Sequence, residues 1–204
     1  MEMNLIKRAR RYLSQEPIRQ NIHRQIRRMA DEVAKVAPVT DGTRTVLSFN
    51  ASTRIAGMSL NAAFAMLTGW SLRLQGVRVV NLVCQRGLSR CVLGTNQDDV
   101  YQAPPCQRCL SQSRVIYHNS DVVWVQPGFS VALEAALQGK TLNELQTFQF
   151  EGVPLGALCL PSMRWILRRH HLRENEPTRW LYRQYILSAH HIAVQFEKLI
   201  EDTQ

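Results

Sequence analysis

With 204 residues, 45% of them apolar and 20% charged, the chain can bury one sizeable core and lacks the composition of a disordered tail. No apolar run approaches the ~20 residues that a bilayer-spanning helix needs. The basic start (Lys7, Arg8, Arg10, Arg11) leads into no apolar signal core, so the expected setting is cytoplasmic and reducing. The net charge of +9 is mostly arginine, 21 Arg against 4 Lys. It concentrates in 1–30, where eight Lys/Arg face Glu2 and Glu16, and in 164–183, where six Arg face Glu174 and Glu176. Guanidinium forks suit phosphate and carboxylate partners, while a solvated helix face is the plainer reading.

Residues 1–38 read as a basic amphipathic helical segment. Ile18, Ile22, Ile26, Met29 and Val33 recur at three- and four-residue steps, with Arg19, Arg24, Arg27 and Arg28 mostly off that stripe. Pro17 should separate a short leading helix at 5–14 from the one that follows, because proline removes a helical donor. Such a stripe either docks on its own domain or lies on an anionic membrane surface.

Residues 39–204 read as one Rossmann-like domain. Thr45-Val46-Leu47-Ser48-Phe49 is a short β-rich run, followed by a polar loop over 50–58. Ser59 is placed to cap a helix whose inward face should be Leu60, Phe64, Leu67, Ser71 and Leu74. Gly76 closes that helix, and Val77-Arg78-Val79-Val80-Asn81-Leu82-Val83 is a second, buried-type strand. Strand, helix and strand in this span make a βαβ unit, which implies a parallel sheet. Val115-Ile116-Tyr117 and Val122-Val123-Trp124-Val125 are further strand candidates. Helices are expected at 129–138, closed by Gly139, at 161–172, and at 177–203, capped by Asn175. The fold class is therefore α/β: a mostly parallel sheet with flanking helices, a loop insertion and long terminal helices. The last helix runs into Glu201-Asp202 with no glycine cap, acids where the helix dipole prefers cations, as a cut before a second domain would leave it.

Four of the five cysteines, Cys84, Cys91, Cys106 and Cys109, fall within 26 residues as C-x6-C-x14-C-x2-C. Zinc favours tetrahedral thiolate sites, and a four-cysteine site with no open position is structural. The intervening residues of 84–110 include Gly94, Asn96, Pro104 and Pro105, so this irregular loop needs an external staple and a metal supplies one. An iron–sulfur cluster fits the same spacing. A disulfide is disfavoured in a reducing setting, and a redox C-x-x-C is disfavoured because this pair follows Pro-Pro in a loop rather than opening a helix after a strand. Cys159, in an apolar stretch, reads as a buried small hydrophobe.

Open α/β sheets bind ligands at the carboxyl ends of their strands. That points to the 50–58 loop, where Asn50, Ser52 and Arg54 could hydrogen-bond a sugar hydroxyl or a phosphate. His118 follows a strand candidate as a ligand or base, with a structural role the simpler reading. The pairs His170-His171 and His190-His191 diverge by about 100° on a helix and form no chelate alone. No G-x-G-x-x-G follows the first strand, so a nicotinamide or flavin site is unsupported.

The ordered set Ser48-Phe49-Asn50, the helix from Ser59, Gly76-Val77-Arg78-Val79-Val80, Cys91-Val92-Leu93-Gly94-Thr95, Pro105-Cys106-Gln107-Arg108-Cys109, Pro154-Leu155-Gly156 and the helix over 181–197 resembles the N-terminal half of bacterial polysaccharide- or capsule-type glycosyltransferases. Those enzymes have GT-B architecture, with two Rossmann-like domains, and the resemblance spans 44–200. It implies an acceptor-side domain in cell-surface glycan synthesis, facing a glycan or lipid-phosphate acceptor. The nucleotide sugar would be held by a second domain that these residues do not supply, so transfer would need a donor-binding partner. A zinc-stapled nucleic-acid-binding or protein-interaction module is the alternative. Against nucleic acid, the loop's only basic residues are Arg86, Arg90 and Arg108, with a single aromatic, Tyr101.

Overall fold

Strand, helix and strand fall where the β-rich runs and the Ser59 cap place them. In the computed structural model, residues 2–40, 44–50 and 58–203 are described, with side chains from residue 16 onward except that of Asn50. The element order is α1 (Glu2–Val36), β1 (Thr45–Asn50), α2 (Leu60–Leu74), β2 (Arg78–Cys84), α3 (Cys106–Ile116), β3 (Asp121–Val125), α4 (Val131–Leu137), α5 (Leu142–Gln146), α6 (Leu155–Leu167) and α7 (Glu176–Glu201). Ser59 accepts a bond from the Ala62 amide at 3.1 Å. Gly76, at φ +79°, turns the chain out of α2 into β2, a backbone state that glycine adopts without Cβ strain.

The sheet of the described residues has three parallel strands in the order β1-β2-β3. Thr45 pairs with Arg78 and Val80 with Asp121. Alternation along β2 splits the core into two layers. Val83 joins Ile26 and Ala30 of α1, Met66 and Trp70 of α2, and Val115 and Ile116 of α3. Val80 and Leu82 pack with Val125 and with Leu199, Ile192 and Phe196 of α7, and Phe196 meets Phe49 of β1 edge-on at 6.1 Å. The largest cluster is helical, built from α4 to α7 with Val100. Helices thus flank both faces of a parallel sheet. No described helix is long and apolar enough to cross a membrane.

Four expectations are corrected. Helix α1 runs unbroken through Pro17, because a proline costs one intrahelical bond and a local clash while the turns on either side keep theirs. The 115–117 run is the end of α3 rather than a strand. Val115 and Ile116 bury against α1 and α2, and packing overrides β-propensity. The inward face of α2 is Ala62, Met66 and Trp70, so Leu60, Phe64, Leu67 and Leu74 are exposed. Helix α6 begins at Leu155, carries Pro161 inside, and ends at Arg168 in a left-handed cap at φ 51°. The helix expected at 177–203 is α7, whose Asn175 accepts from the Thr178 amide at 3.0 Å. The short α5 carries a start signal that the sequence reading missed, the capping box of Thr141 and Glu144.

Cys159 is 5% exposed in the helical cluster, and burial pushes its thiol from 9.0 up to about 12. The native thiol should resist alkylation at pH 8 while thiols near the surface react, as a timed mass measurement would show. Because its folded pKa is raised, the unfolded chain loses this proton first. Stability should therefore fall as pH rises from about 9 towards 12, and less so in Cys159→Ala.

Candidate metal centre and the grooves beside it

Strand β2 delivers Cys84 to the carboxyl end of the sheet, and the chain then turns through Arg86 at φ 64°. The amides of Arg86, Gly87 and Leu88 hydrogen-bond the Cys84 sulfur. Gly87 is forced by packing, since a Cβ there would lie 2.5 Å from Val125 Cγ1 and 2.7 Å from its carbonyl oxygen. Cys91 opens a second tight turn. Its Sγ accepts from the Gly94 amide at 3.2 Å, and its carbonyl accepts from Thr95 Oγ1 at 2.8 Å. A Cβ on Gly94 would meet Pro104 at 2.8 Å and Cys91 Sγ at 3.0 Å, so the returning chain lies directly over this turn. Cys106 is the first residue of α3 and Cys109 lies within its first turn.

These pieces bring all four predicted cysteines to one cavity of about 20 Å³, walled by Leu88, Leu93, Pro104 and Leu110. That is room for roughly one water-sized sphere. All five cysteines are free thiols. Among the described residues, no group of three or more Cys, His, Asp or Glu stands as a ready metal-binding set, so the sulfurs share a cavity without closing on a point. Burial pushes the Cys91 thiol up to about 11. Cys84 and Cys106 are raised too, first by burial and then by neighbouring cysteines. Four thiolates would repel strongly in so dry a space unless a cation sat among them. Amide donors to two sulfurs, a helix N-terminus under a third and a small apolar-walled cavity suit a thiolate-bound metal. The C-x-x-C pair, expected in a loop, instead opens a helix at Cys106; burial raises the Cys106 thiol where a reactive redox thiol needs a lowered pKa, which disfavours redox chemistry.

Arg90 holds the loop together. Its guanidinium donates to the carbonyls of Ser89, Val100 and Tyr101 and stacks 4.7 Å from the Trp180 ring centre. The histidines are engaged elsewhere. His118 Nε2 meets Asp31 at 2.9 Å, His23 meets Gln112 at 2.8 Å, and His191 bonds the Gln126 carbonyl at 2.8 Å. His170 and His171 meet edge-to-face at the surface.

Of the predicted substrate residues, Asn50 ends β1. Its side chain, Ser52 and Arg54 lie outside the described residues. Two adjoining grooves lie nearby, and the first reaches Phe49 near this end of β1. One, of about 530 Å³, runs past Phe49, Leu93, Leu158 and Ile192, with Ser162 and Tyr185 as polar groups. The other, of about 710 Å³, is polar: Arg164, Arg168, Asn96, Gln97 and Asp98 surround Trp165, which is 61% exposed. Val92 and Leu93 line both. Arg164 Nε is buried with no hydrogen-bond partner among the described residues. The basic count of 164–183 gave a signal for these arginines, but nothing linear joins them to residues 96–98. No protein-family model, no curated protein and no solved structure matches the chain.

Proposed function

We propose that this chain is the acceptor-side domain of a glycosyltransferase of polysaccharide or cell-surface glycan synthesis, with a structural zinc at Cys84, Cys91, Cys106 and Cys109. Sugar transfer would require a separate Rossmann-like domain to hold the nucleotide sugar. The observation that carries the reading is a pair of adjoining grooves, an apolar one that reaches Phe49 near the carboxyl end of β1 and, sharing Val92 and Leu93 with it, one with an exposed Trp among Arg, Asn, Gln and Asp side chains. Open parallel sheets bind ligands at that end. A flat aromatic face beside planar polar groups suits a saccharide, and two arginines suit a phosphate or carboxylate on it. Asn50 ends β1, and it, Ser52 and Arg54 are the further residues proposed to hydrogen-bond the acceptor.

Titration with glycan phosphates tests this. Trp165→Ala and Arg54→Ala should each weaken binding about tenfold, near 1.4 kcal/mol, and sugar transfer should appear only when a donor domain is added. Unchanged affinity in both variants would remove these grooves from acceptor binding. A fall of ~10³–10⁵ in duplex affinity between 50 and 200 mM salt would favour the nucleic-acid module instead.

A further inference from the structure

The polar groove holds two guanidiniums that nothing described in the chain neutralises. Arg164 and Arg168 line it with Asn96, Gln97, Asp98 and Trp165. In the same basic stretch Arg179 and Arg183 are paired with Glu174 and Glu176, whereas Arg164 and Arg168 form no ion pair among the described residues. Arginines near a helix C-terminus commonly serve its last carbonyls, but neither of these side chains donates to one among the described residues. Arg164 Nε is buried without a partner. Its terminal nitrogens are neither buried nor bonded among the described residues, so they stay open to the groove. A guanidinium stripped of water along one edge and unpaired along the other is a strong, two-pronged donor to an anion. Arg168 is the left-handed cap of α6 at φ 51°, a position where glycine is the unstrained residue.

The residues that face these cations from the 95–98 turn are fixed in place. Asn96 Oδ1 accepts from the Asp98 amide at 2.9 Å, and Asn96 Nδ2 donates to Gln102. Thr95 Oγ1 ties the turn to the Cys91 carbonyl at 2.8 Å. Asn96 is thereby occupied. The Gln97 amide and the Asp98 carboxylate have no side-chain partner among the described residues and are left to meet sugar hydroxyls. Trp165, 61% exposed, offers a flat face to a pyranose ring. Two guanidiniums against one carboxylate leave the groove a surplus of one positive charge. A neutral saccharide would use the indole face and the hydroxyl-binding groups but leave both arginines unmatched. A doubly charged phosphate monoester would bring its second charge against Asp98.

We propose that the groove takes an acidic glycan, in which the sugar unit over Trp165 carries a single negative charge, a carboxylate or a phosphodiester, gripped by Arg164 and Arg168. The inference rests on the reading of the grooves as an acceptor site and adds the charge of the acceptor. Calorimetric titration of the full chain tests it, comparing an oligogalacturonate, its fully methyl-esterified form and a phosphodiester-linked oligosaccharide. The oligogalacturonate should bind about tenfold or more tightly than its ester, which differs only in charge. Arg168→Gly should reduce that preference to roughly threefold or less, with a thermal midpoint no lower than the parent's because glycine adopts this backbone state freely. Arg164→Lys, which keeps the charge and loses the fork, should reduce it as well. A preference shown by the phosphodiester oligomer alone, and lost in the same variants, would support the site and assign the charge to a backbone phosphate. Equal affinity for acid and ester, with Trp165→Ala weakening both, would leave the acceptor groove standing and overturn its acidic preference. A preference that neither arginine variant moves would overturn it too. Binding of no saccharide at all would remove the acceptor reading together with this one.

Discussion

Protein prepared with zinc is expected to carry one ion per chain, and Cys106→Ser/Cys109→Ser to carry none. The four sulfurs already share one small cavity, and two of them already accept backbone amide bonds. Binding then needs loss of thiol protons and a short inward movement of the loop rather than a refolded scaffold. The cysteines with raised pKa values, Cys91 at about 11 among them, hold their protons at neutral pH without metal. Each proton expelled makes zinc affinity rise as pH rises. Titrations at pH 6, 7 and 8 should show log affinity climbing by more than one unit per pH unit, and the ion should dissociate as pH falls below about 6. Removal by a chelator should speed amide exchange across 84–110 while leaving β1 to β3 protected, because those strands keep their own ladder and both packed faces. Elemental analysis finding equal zinc in parent and double variant would end the assignment. A metal analysis returning iron and inorganic sulfide in its place would move the same four ligands to a cluster.

Gly156→Ala should be the most damaging single-methyl change in the chain. A Cβ at 156 would stand 2.1 Å from the Leu145 carbonyl oxygen, 2.8 Å from that of Gln146 and 2.8 Å from the Phe148 amide nitrogen. All three are backbone atoms, so no rotamer change relieves the clash. The first turn of α6 and the end of α5 must separate. That separation disturbs the Gly156 amide bond to the Phe148 carbonyl at 3.0 Å and the bond that buried Tyr182 donates to the Gly156 carbonyl at 2.8 Å. Leu145, Leu155 and Tyr182, each at most 3% exposed, would lose contact together. A cost of about 3 kcal/mol or more follows from overpacking and a disturbed buried hydrogen bond. For a chain of this size that lowers the midpoint by roughly 10 °C. Gly139→Ala is the comparison: nothing lies within 4 Å of its Cβ position and φ is +69°, so the penalty is backbone strain alone, near 1 kcal/mol. Thermal denaturation of the two variants side by side checks the ranking, and equal midpoints would show that α6 can lift away from α5 without loss.

The elements read correctly from sequence are those with local physical signatures. Thr45 to Phe49 and Arg78 to Val83 are short β-rich runs bounded by turn residues, Ser59 and Asn175 carry oxygens placed to cap a helix, and Gly76 supplies a positive φ. Each depends on a few neighbouring residues, and the local chemistry leaves few alternatives. The grouping of Cys84, Cys91, Cys106 and Cys109 was legible from spacing, C-x6-C-x14-C-x2-C within 26 residues.

What sequence could not settle is which side of a helix meets the core. On α2 the apolar residues run most of the way round, so Leu60-Phe64-Leu67 and Ala62-Met66-Trp70 are both defensible inward stripes. Packing against α1, β2 and α3 buries the second and leaves the first to solvent. The same holds for Val115 and Ile116, whose β-branched character was overridden by a helix that begins at Cys106. The polar groove joining Asn96, Gln97 and Asp98 to Arg164, Trp165 and Arg168 is a contact across about 70 residues of chain, invisible to any local pattern. Local propensity, capping and spacing were thus determined by the sequence itself. Helix orientation and the meeting of distant segments were decided only in the tertiary structure, because burial is a property of the whole packed surface and no residue's neighbours in the chain determine it.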